Sequence, residues 1–168
     1  MKENIEIKKT KTKGKGVFVT RNFKKGEIVF INLRGKLVKR KDLKKKLIKN
    51  EGDHLNEIDK NTWEIMNSPG RFVNHSCDPN TITKESAKKR VPYIALKPIK
   101  KGEEITGDYR INAHTGNTWK CYCGSKNCLG KVTSDFFTLN EKLQKKYLPY
   151  SSKFIKDEYK KRHKIKRH

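Results

Sequence analysis

The stretch Arg71-Phe72-Val73-Asn74-His75-Ser76-Cys77-Asp78-Pro79-Asn80 decides the fold. Phe72 and Val73 are apolar, Pro79 marks a turn, and the run between them is polar. That pattern describes an ordered loop presenting side chains to a site. It equally describes a loop whose Asn and His satisfy nearby backbone groups. Cys77 adds the second signal. The chain has four cysteines, and the other three stand together as Cys121-Tyr122-Cys123-Gly124-Ser125-Lys126-Asn127-Cys128, a C-x-C-x4-C pattern. Three thiolates at that spacing leave a tetrahedral Zn²⁺ one ligand short, and Cys77 is the remaining cysteine. The expected metal site, Cys77, Cys121, Cys123 and Cys128, would pin a C-terminal segment onto the Asn-His-Ser loop.

A disulfide framework would need an oxidising compartment. The start, Met1-Lys2-Glu3-Asn4-Ile5-Glu6, carries no apolar signal region, and no apolar run approaches the ~18 residues of a membrane span. The expectation is an intracellular chain with no membrane partner. It would sit in a nucleus or on a chromosome if the cell has one, and otherwise in the cytoplasm.

The formal charge of +24, from 42 Lys+Arg against 18 Asp+Glu in 168 residues, is extreme. Lysine predominates, giving a strong field with few planar bidentate forks. Such a field suits phosphate backbones without base readout. Compositional drift in a Lys- and Asn-rich proteome is the blander source. Hydrophobic content is only 33%, so a structural metal would help a modest core.

Short strand patterns recur: Ile5 to Ile7, Val17-Phe18-Val19, Ile28-Val29-Phe30-Ile31 and Tyr93-Ile94-Ala95-Leu96, separated by Gly/Pro turns. Asn56 to Trp63 reads as a hairpin. Asp42 can cap a short basic helix carrying Leu43, Leu47 and Ile48. The fold class is mostly β, with few short helices. From about Asn140 the composition changes: residues 140–168 hold eleven Lys+Arg against three acids, a net of +8. Leu139, Leu143, Tyr147 and Leu148 suggest one apolar helical face, and Phe154, Ile155 and Tyr159 another. The end, Lys160 to His168, reads as frayed, and serves equally as a nucleic-acid patch or a solvated tail.

Four elements in order carry the chemistry: Gly14-Lys15-Gly16-Val17, Arg71 to Cys77, Gly102-Glu103-Glu104-Ile105-Thr106-Gly107-Asp108-Tyr109, and the cysteine knuckle. Together they resemble the SET domain of protein lysine methyltransferases with its zinc-binding post-SET segment, over roughly residues 5–135. The resemblance implies a SET-domain fold of short β-sheets with a knot-like C-terminal crossing. It implies a SET domain at 5–115, a post-SET zinc segment at 116–135 and a basic C-terminal extension at 136–168. It also implies two cofactors, S-adenosyl-L-methionine and Zn²⁺.

Residue by residue, Lys13, Gly14, Lys15, Gly16 and Val17 would lie against the methionine part of the cofactor. Arg71, Asn74, His75 and Tyr109 would complete its site. The crossing would bring Tyr109, which matches the family's catalytic tyrosine, beside Asn74. The segment around Leu129 and Val132 would cover the adenine. Two positions depart from the family pattern. Gly107 stands where many histone-type members carry Phe or Tyr. Phe30-Ile31-Asn32-Leu33-Arg34-Gly35 stands where many carry a Glu-Tyr pair.

The function so implied is S-adenosylmethionine-dependent protein-lysine N-methyltransfer by a monomer, on a chromatin or other nucleic-acid-associated protein, with non-specific nucleic-acid contact. A non-catalytic, zinc-stapled basic module that binds nucleic acid or chromatin is the competing reading. A Rossmann-type methyltransferase is disfavoured, because no Gly-rich strand–helix unit appears.

Overall fold

The computed structural model describes residues 4–43, 54–84 and 89–165. Within them the chain is built from small sheets. The first has the strand order β1-β2-β10-β7, with β1 at Ile5–Lys9, β2 at Lys15–Val19, β7 at Asn74–His75 and β10 at Glu104–Gly107. The second is β3-β9-β8, from Ile28–Leu33, Arg90–Ala95 and Thr81–Thr83. The third is β4-β6-β5, from Lys36–Lys39, Thr62–Ile65 and Leu55–Asp59. The pair β11 (His114–Lys120) and β12 (Lys131–Asp135) follows. Two helices close the chain, α1 at Glu141–Tyr147 and α2 at Lys153–Ile165.

Period-two patterning explains the strands. In β9, Val91, Tyr93 and Ala95 are buried while their neighbours are not. In β2, Val17 and Val19 are fully buried and Lys15 is exposed. The hairpin expected at Asn56 to Trp63 is β5–β6. The basic helix expected after Asp42 falls on residues 44–53, outside those described. Arg40–Asp42 form a short 3-10 turn.

Most of the buried apolar residues fall into two clusters. One gathers Ile5, Val17, Val19, Phe23, Val29, Val73, Tyr93, Ala95, Ile99 and Ile105 from the sheets. The other joins Ile82 and Ile111 to Phe136, Leu139, Tyr147 and Ile155. The last thirty residues therefore build core as well as carrying charge. Over Lys160 to Ile165 the expected fraying is corrected by this packing, since α2 runs to Ile165; residues 166–168 lie outside those described. Ile155 is wholly buried, Tyr159 packs on the same cluster, and His163 stacks on Tyr159 at 3.8 Å. An anchored face holds a helix that its own lysines would disfavour.

The pairing that positions the site is the parallel contact between β10 and β7, Thr106 opposite Asn74 and Gly107 opposite His75. Ser76 N–H donates to the Gly107 carbonyl (2.8 Å). Asn80 fixes the strand further: its Nδ2 donates to the Glu104 carbonyl and its Oδ1 accepts from Thr106 N–H, both at 2.8 Å. One buried amide side chain thus satisfies two backbone groups of β10, an inner strand of its sheet.

Candidate functional site

Because β10 is held beside β7, the residues that follow it land on the polar loop. Tyr109 N–H donates to His75 Nδ1 (3.2 Å), and the Tyr109 hydroxyl donates to the Val73 carbonyl (2.8 Å). Tyr109 as a whole residue stays 46% exposed, while its hydroxyl is engaged by that carbonyl. Desolvation of its phenol, with the negative field of Glu104 added, pushes its pKa up to about 12. At physiological pH it is a neutral hydroxyl with a fixed direction.

His75 is buried, which pushes its pKa down to about 4 against the opposing pull of Asp108. The ring is therefore neutral, and since Nδ1 accepts from Tyr109, the proton sits on Nε2. Nε2 lies 3.4 Å from Cys77 Sγ. Behind this group Arg110 clamps the fully buried Asp108 carboxylate through Nε and Nη2, at 2.9 and 2.6 Å. A buried pair with this fork geometry orders the segment that carries Tyr109.

The glycine turn reaches the same loop. Gly14 takes φ +73°, which glycine adopts without strain. At Gly16 a Cβ would lie 2.7 Å from Glu104 Oε1 and 3.2 Å from Asn74 Nδ2. Asn74 Nδ2 donates to the Lys15 carbonyl (3.0 Å) and to Glu104 Oε1 (2.7 Å), and Lys13 Nζ pairs with Glu104 Oε2 at 3.1 Å. Turn, loop and β10 are one hydrogen-bonded unit. Arg71 lies on the 3-10 turn Gly70–Phe72, and its Nε is buried without a partner. An orphaned donor is the kind of group a bound acceptor satisfies. Lys13, Asn74 and Glu104 carry the kinds of group that the charged amino-acid end of S-adenosylmethionine would meet, and they are bonded to one another here, whereas Arg71 lies at the cavity beside Tyr109.

A cavity of about 620 Å³ lies on the Tyr109 side, and Arg71, Val73, Gly107, Tyr109, Ile111 and Trp119 are among its walls. Lys13 to Val17, Asn74 and His75 do not line it. At Gly107 an added Cβ would touch only Val73, at 3.9 Å, so space opens there. Glu57 also faces the cavity and accepts from His114 N–H at 2.6 Å. Burial raises its pKa.

The cysteines converge. The ligand atoms of Cys77, Cys121, Cys123 and Cys128 all lie within 4.8 Å of one another, and Cys77 Sγ to Cys121 Sγ is 3.9 Å. A tetrahedron with Zn–S bonds of ~2.3 Å has sulfur–sulfur edges of about 3.8 Å, so the cluster fits Zn²⁺. None of the four is in a disulfide. Burial pushes the Cys121 thiol up to about 12 and raises the Cys77 thiol, whereas at Cys123 desolvation is outweighed by hydrogen bonds from the Cys77 N–H and from Ser125, which bring it down to about 6; a bound cation would favour the thiolate form of the set. Val132 is buried and pairs with Trp119, whereas Leu129 is 58% exposed.

Trp119 was not among the residues expected from the sequence. Its ring lies 5.7 Å from His75 and 6.0 Å from Tyr109, roofing both. The available signal was its place two residues before the cysteine knuckle. Glu104 and Arg110 also escaped, because their roles depend on partners distant in the chain or on burial.

The SET domain family model matches residues 14–110. A variant-silencing SET domain-containing protein of Plasmodium falciparum is 32% identical over 143 residues, covering 76% of this chain and 6% of that protein. The H3 lysine-36 specific histone-lysine N-methyltransferase of Saccharomyces cerevisiae is 31% identical over 140 residues, covering 75% of this chain and 19% of that protein. Among solved structures, a Plasmodium falciparum protein provisionally assigned as a histone methyltransferase aligns with a TM-score of 0.52 at 27% identity, over 65% of this chain and 95% of that one. The chain thus spans 6% and 19% of the length of these two curated relatives.

Proposed function

This chain belongs to the SET-domain family, and from that premise we propose that it is an S-adenosylmethionine-dependent protein-lysine N-methyltransferase. Its substrate is a lysine of a chromatin or other nucleic-acid-associated protein, and a chromatin substrate would place its work in the nucleus. Tyr109 is the catalytic residue in this reading. Lys13 to Val17, Arg71, Asn74 and His75 hold the cofactor, and the four cysteines hold Zn²⁺. The SET unit spans 5–115, the zinc segment 116–135 and the basic extension 136–168. The relatives named for H3 lysine-36 activity make a histone the first substrate to test.

The observation that carries the reading is the Tyr109 hydroxyl, fixed on the Val73 carbonyl at the wall of the cavity. S-adenosylmethionine, when bound, supplies the electrophilic methyl group. The protein must present a neutral amine to it. At pH 7 deprotonating a lysine of ordinary pKa costs about 4.6 kcal/mol. A desolvating wall lowers that cost. Val73, Ile111 and Trp119 supply apolar wall here. Tyr109 and the carbonyl it holds can orient the nitrogen for in-line attack, which is catalysis by positioning. With a phenol pKa of about 12, Tyr109 stays protonated and does not act as the base.

The test is transfer of labelled methyl groups to core histones and nucleosomes, read by mass spectrometry, with Tyr109→Phe alongside. No transfer by wild type that binds the cofactor normally would overturn the reading. The +24 charge favours the second reading, a basic module without catalysis. Calorimetry separates the two, since the module binds no cofactor.

A further inference from the structure

We infer that the outward face of α2 is a docking track for the phosphate backbone of duplex DNA, and that it starts at the wall of the cavity beside Tyr109. The inference rests on the proposed function, and it locates the partner surface that this function needs. The segment before α2 is fastened to that wall. Ser152 N–H donates to Asn112 Oδ1 (2.8 Å), and the Ser151 hydroxyl donates to the Ile111 carbonyl (3.1 Å). Ile111 and Asn112 both line the cavity.

The helix then divides by periodicity. Ile155 is buried, and Phe154 and Tyr159 pack on the same cluster. Lys153, Lys160, Lys161 and Lys164 are exposed. At 3.6 residues per turn Lys153, Lys160 and Lys164 share one stripe, with Lys161 at its margin. Both acids of α2 are in ion pairs: Asp157, which lies on the same stripe, with Lys153, and Glu158 with Arg162 at 3.2 Å; the first pair is exposed, so a phosphate can displace Asp157 from Lys153 at little cost. Lys156, Lys160 and Lys164 repeat at helical spacing, a like-charge arrangement that opposes the helix. A polyanion along the face relieves it.

Two absences within the helix narrow the ligand. Its aromatic rings point into the core, so the track has no platform on which single-stranded bases could stack. Its one arginine, Arg162, lies over the Phe137 ring at 3.7 Å, so the face has no guanidinium fork for reading base edges. What remains is a row of lysine point charges with Asp157 set within it. From Lys153 to Lys164 it covers about 16 Å, along which a duplex presents about ten phosphate charges. A protein wrapped by that duplex would offer its lysines next to Tyr109.

The experiment is fluorescence anisotropy of a random-sequence duplex with the full chain, without cofactor, across a salt series. The variant K153Q/K160Q/K161Q/K164Q is compared with K24Q/K25Q/K100Q/K101Q, which removes the same charge from exposed turns beside the other core cluster. The α2 variant should lose at least about tenfold in affinity at moderate salt. Its log–log salt slope should flatten by about 3 to 4, and the control slope by less than about 1. Equal losses in both variants would overturn the inference, leaving net charge alone as the cause. So would single-stranded DNA or duplex RNA competing as well as duplex DNA. Should the α2 variant melt early, amine-reactive labelling of the wild-type chain decides. Duplex DNA should protect Lys160, Lys161 and Lys164, and undiminished labelling there overturns the proposal. Because binding is read without methyl transfer, a chain that binds DNA but methylates nothing sinks the enzyme reading alone.

Discussion

His75 and Cys77 meet side chain to side chain, Nε2 to Sγ at 3.4 Å, while the opposite ring nitrogen of His75 takes the Tyr109 backbone N–H. One neutral imidazole thus joins the cysteine cluster to the tyrosine. Trp119, two residues before Cys121, covers the imidazole and the phenol together. The cluster and the proposed reaction centre are neighbours through two short routes.

Metal removal should therefore reach Tyr109. Fresh reduced protein should contain one Zn²⁺ per chain by elemental analysis, and Cys77→Ser should lose most of it. Chelation should red-shift Trp119 emission and weaken cofactor binding, because ligand set and local fold form together. Full metal affinity in Cys77→Ser would remove Cys77 from the set.

Tyr109→Phe should keep the fold and the affinity for the cofactor, since the ring still packs near His75 and Trp119. Turnover should fall by about 10²-fold or more, the scale expected when a reacting group loses its alignment. Near-normal turnover would show that the hydroxyl positions nothing.

The phenols give a pH signature. Tyr109 and Tyr147 are both held near 12 by burial, with Glu104 adding to the first and Asp108 to the second. An acid whose pKa is raised by folding favours the folded state below its unfolded value of about 10. That stability is lost as pH rises from there toward 12, because the unfolded chain sheds the proton first. Absorbance at the phenolate band should show a step near 12 from these two. The Tyr109→Phe difference spectrum should have its midpoint near 12. A midpoint near 10 would mean the hydroxyl is solvated.

Much of this was legible in the chain. Strands were readable where apolar residues alternate, as in β2 and β9. The candidate loop stood out where residue type and order are both unusual, as in Arg71 to Cys77. The chain order alone could not place Glu104 on Lys13 and Asn74, because that contact depends on the three-dimensional pairing of β10 with β2 and β7. β11 was missed because it is mostly exposed and polar, His-Thr-Gly-Asn-Thr-Trp-Lys, with no alternation to read. The C-terminal basic segment looked peripheral because lysines dominate its composition. Its few apolar residues complete a core whose other half lies at Ile82 and Ile111.

Gly107 tests the shape of the cavity. A side chain added there meets only Val73, so Gly107→Phe should fold. Its ring should occupy cavity volume beside Tyr109 and shift products toward fewer methyl groups, or block transfer. Product distributions by mass spectrometry decide. An unchanged distribution would show that the amine does not pass Gly107.

Truncation after Asn140 should unfold the chain, although it removes what reads as a basic tail. It deletes Tyr147 and Ile155, which are buried against Phe136 and Ile111, and Ser151 and Ser152, which hold Ile111 and Asn112. Removing two large buried side chains and their anchors exceeds what a marginal domain tolerates. A milder probe is Ile155→Ala. Ile155 is fully buried, so the change should cost about 2–5 kcal/mol. For a chain of this length that is a fall in Tm of about 4–20 °C. Exposed Lys160→Gln and Lys161→Gln should leave Tm within about 2 °C, since surface changes rarely exceed 0.5 kcal/mol. A truncated chain that melts cooperatively near the wild-type temperature would show that α1 and α2 are appended to the fold rather than part of it.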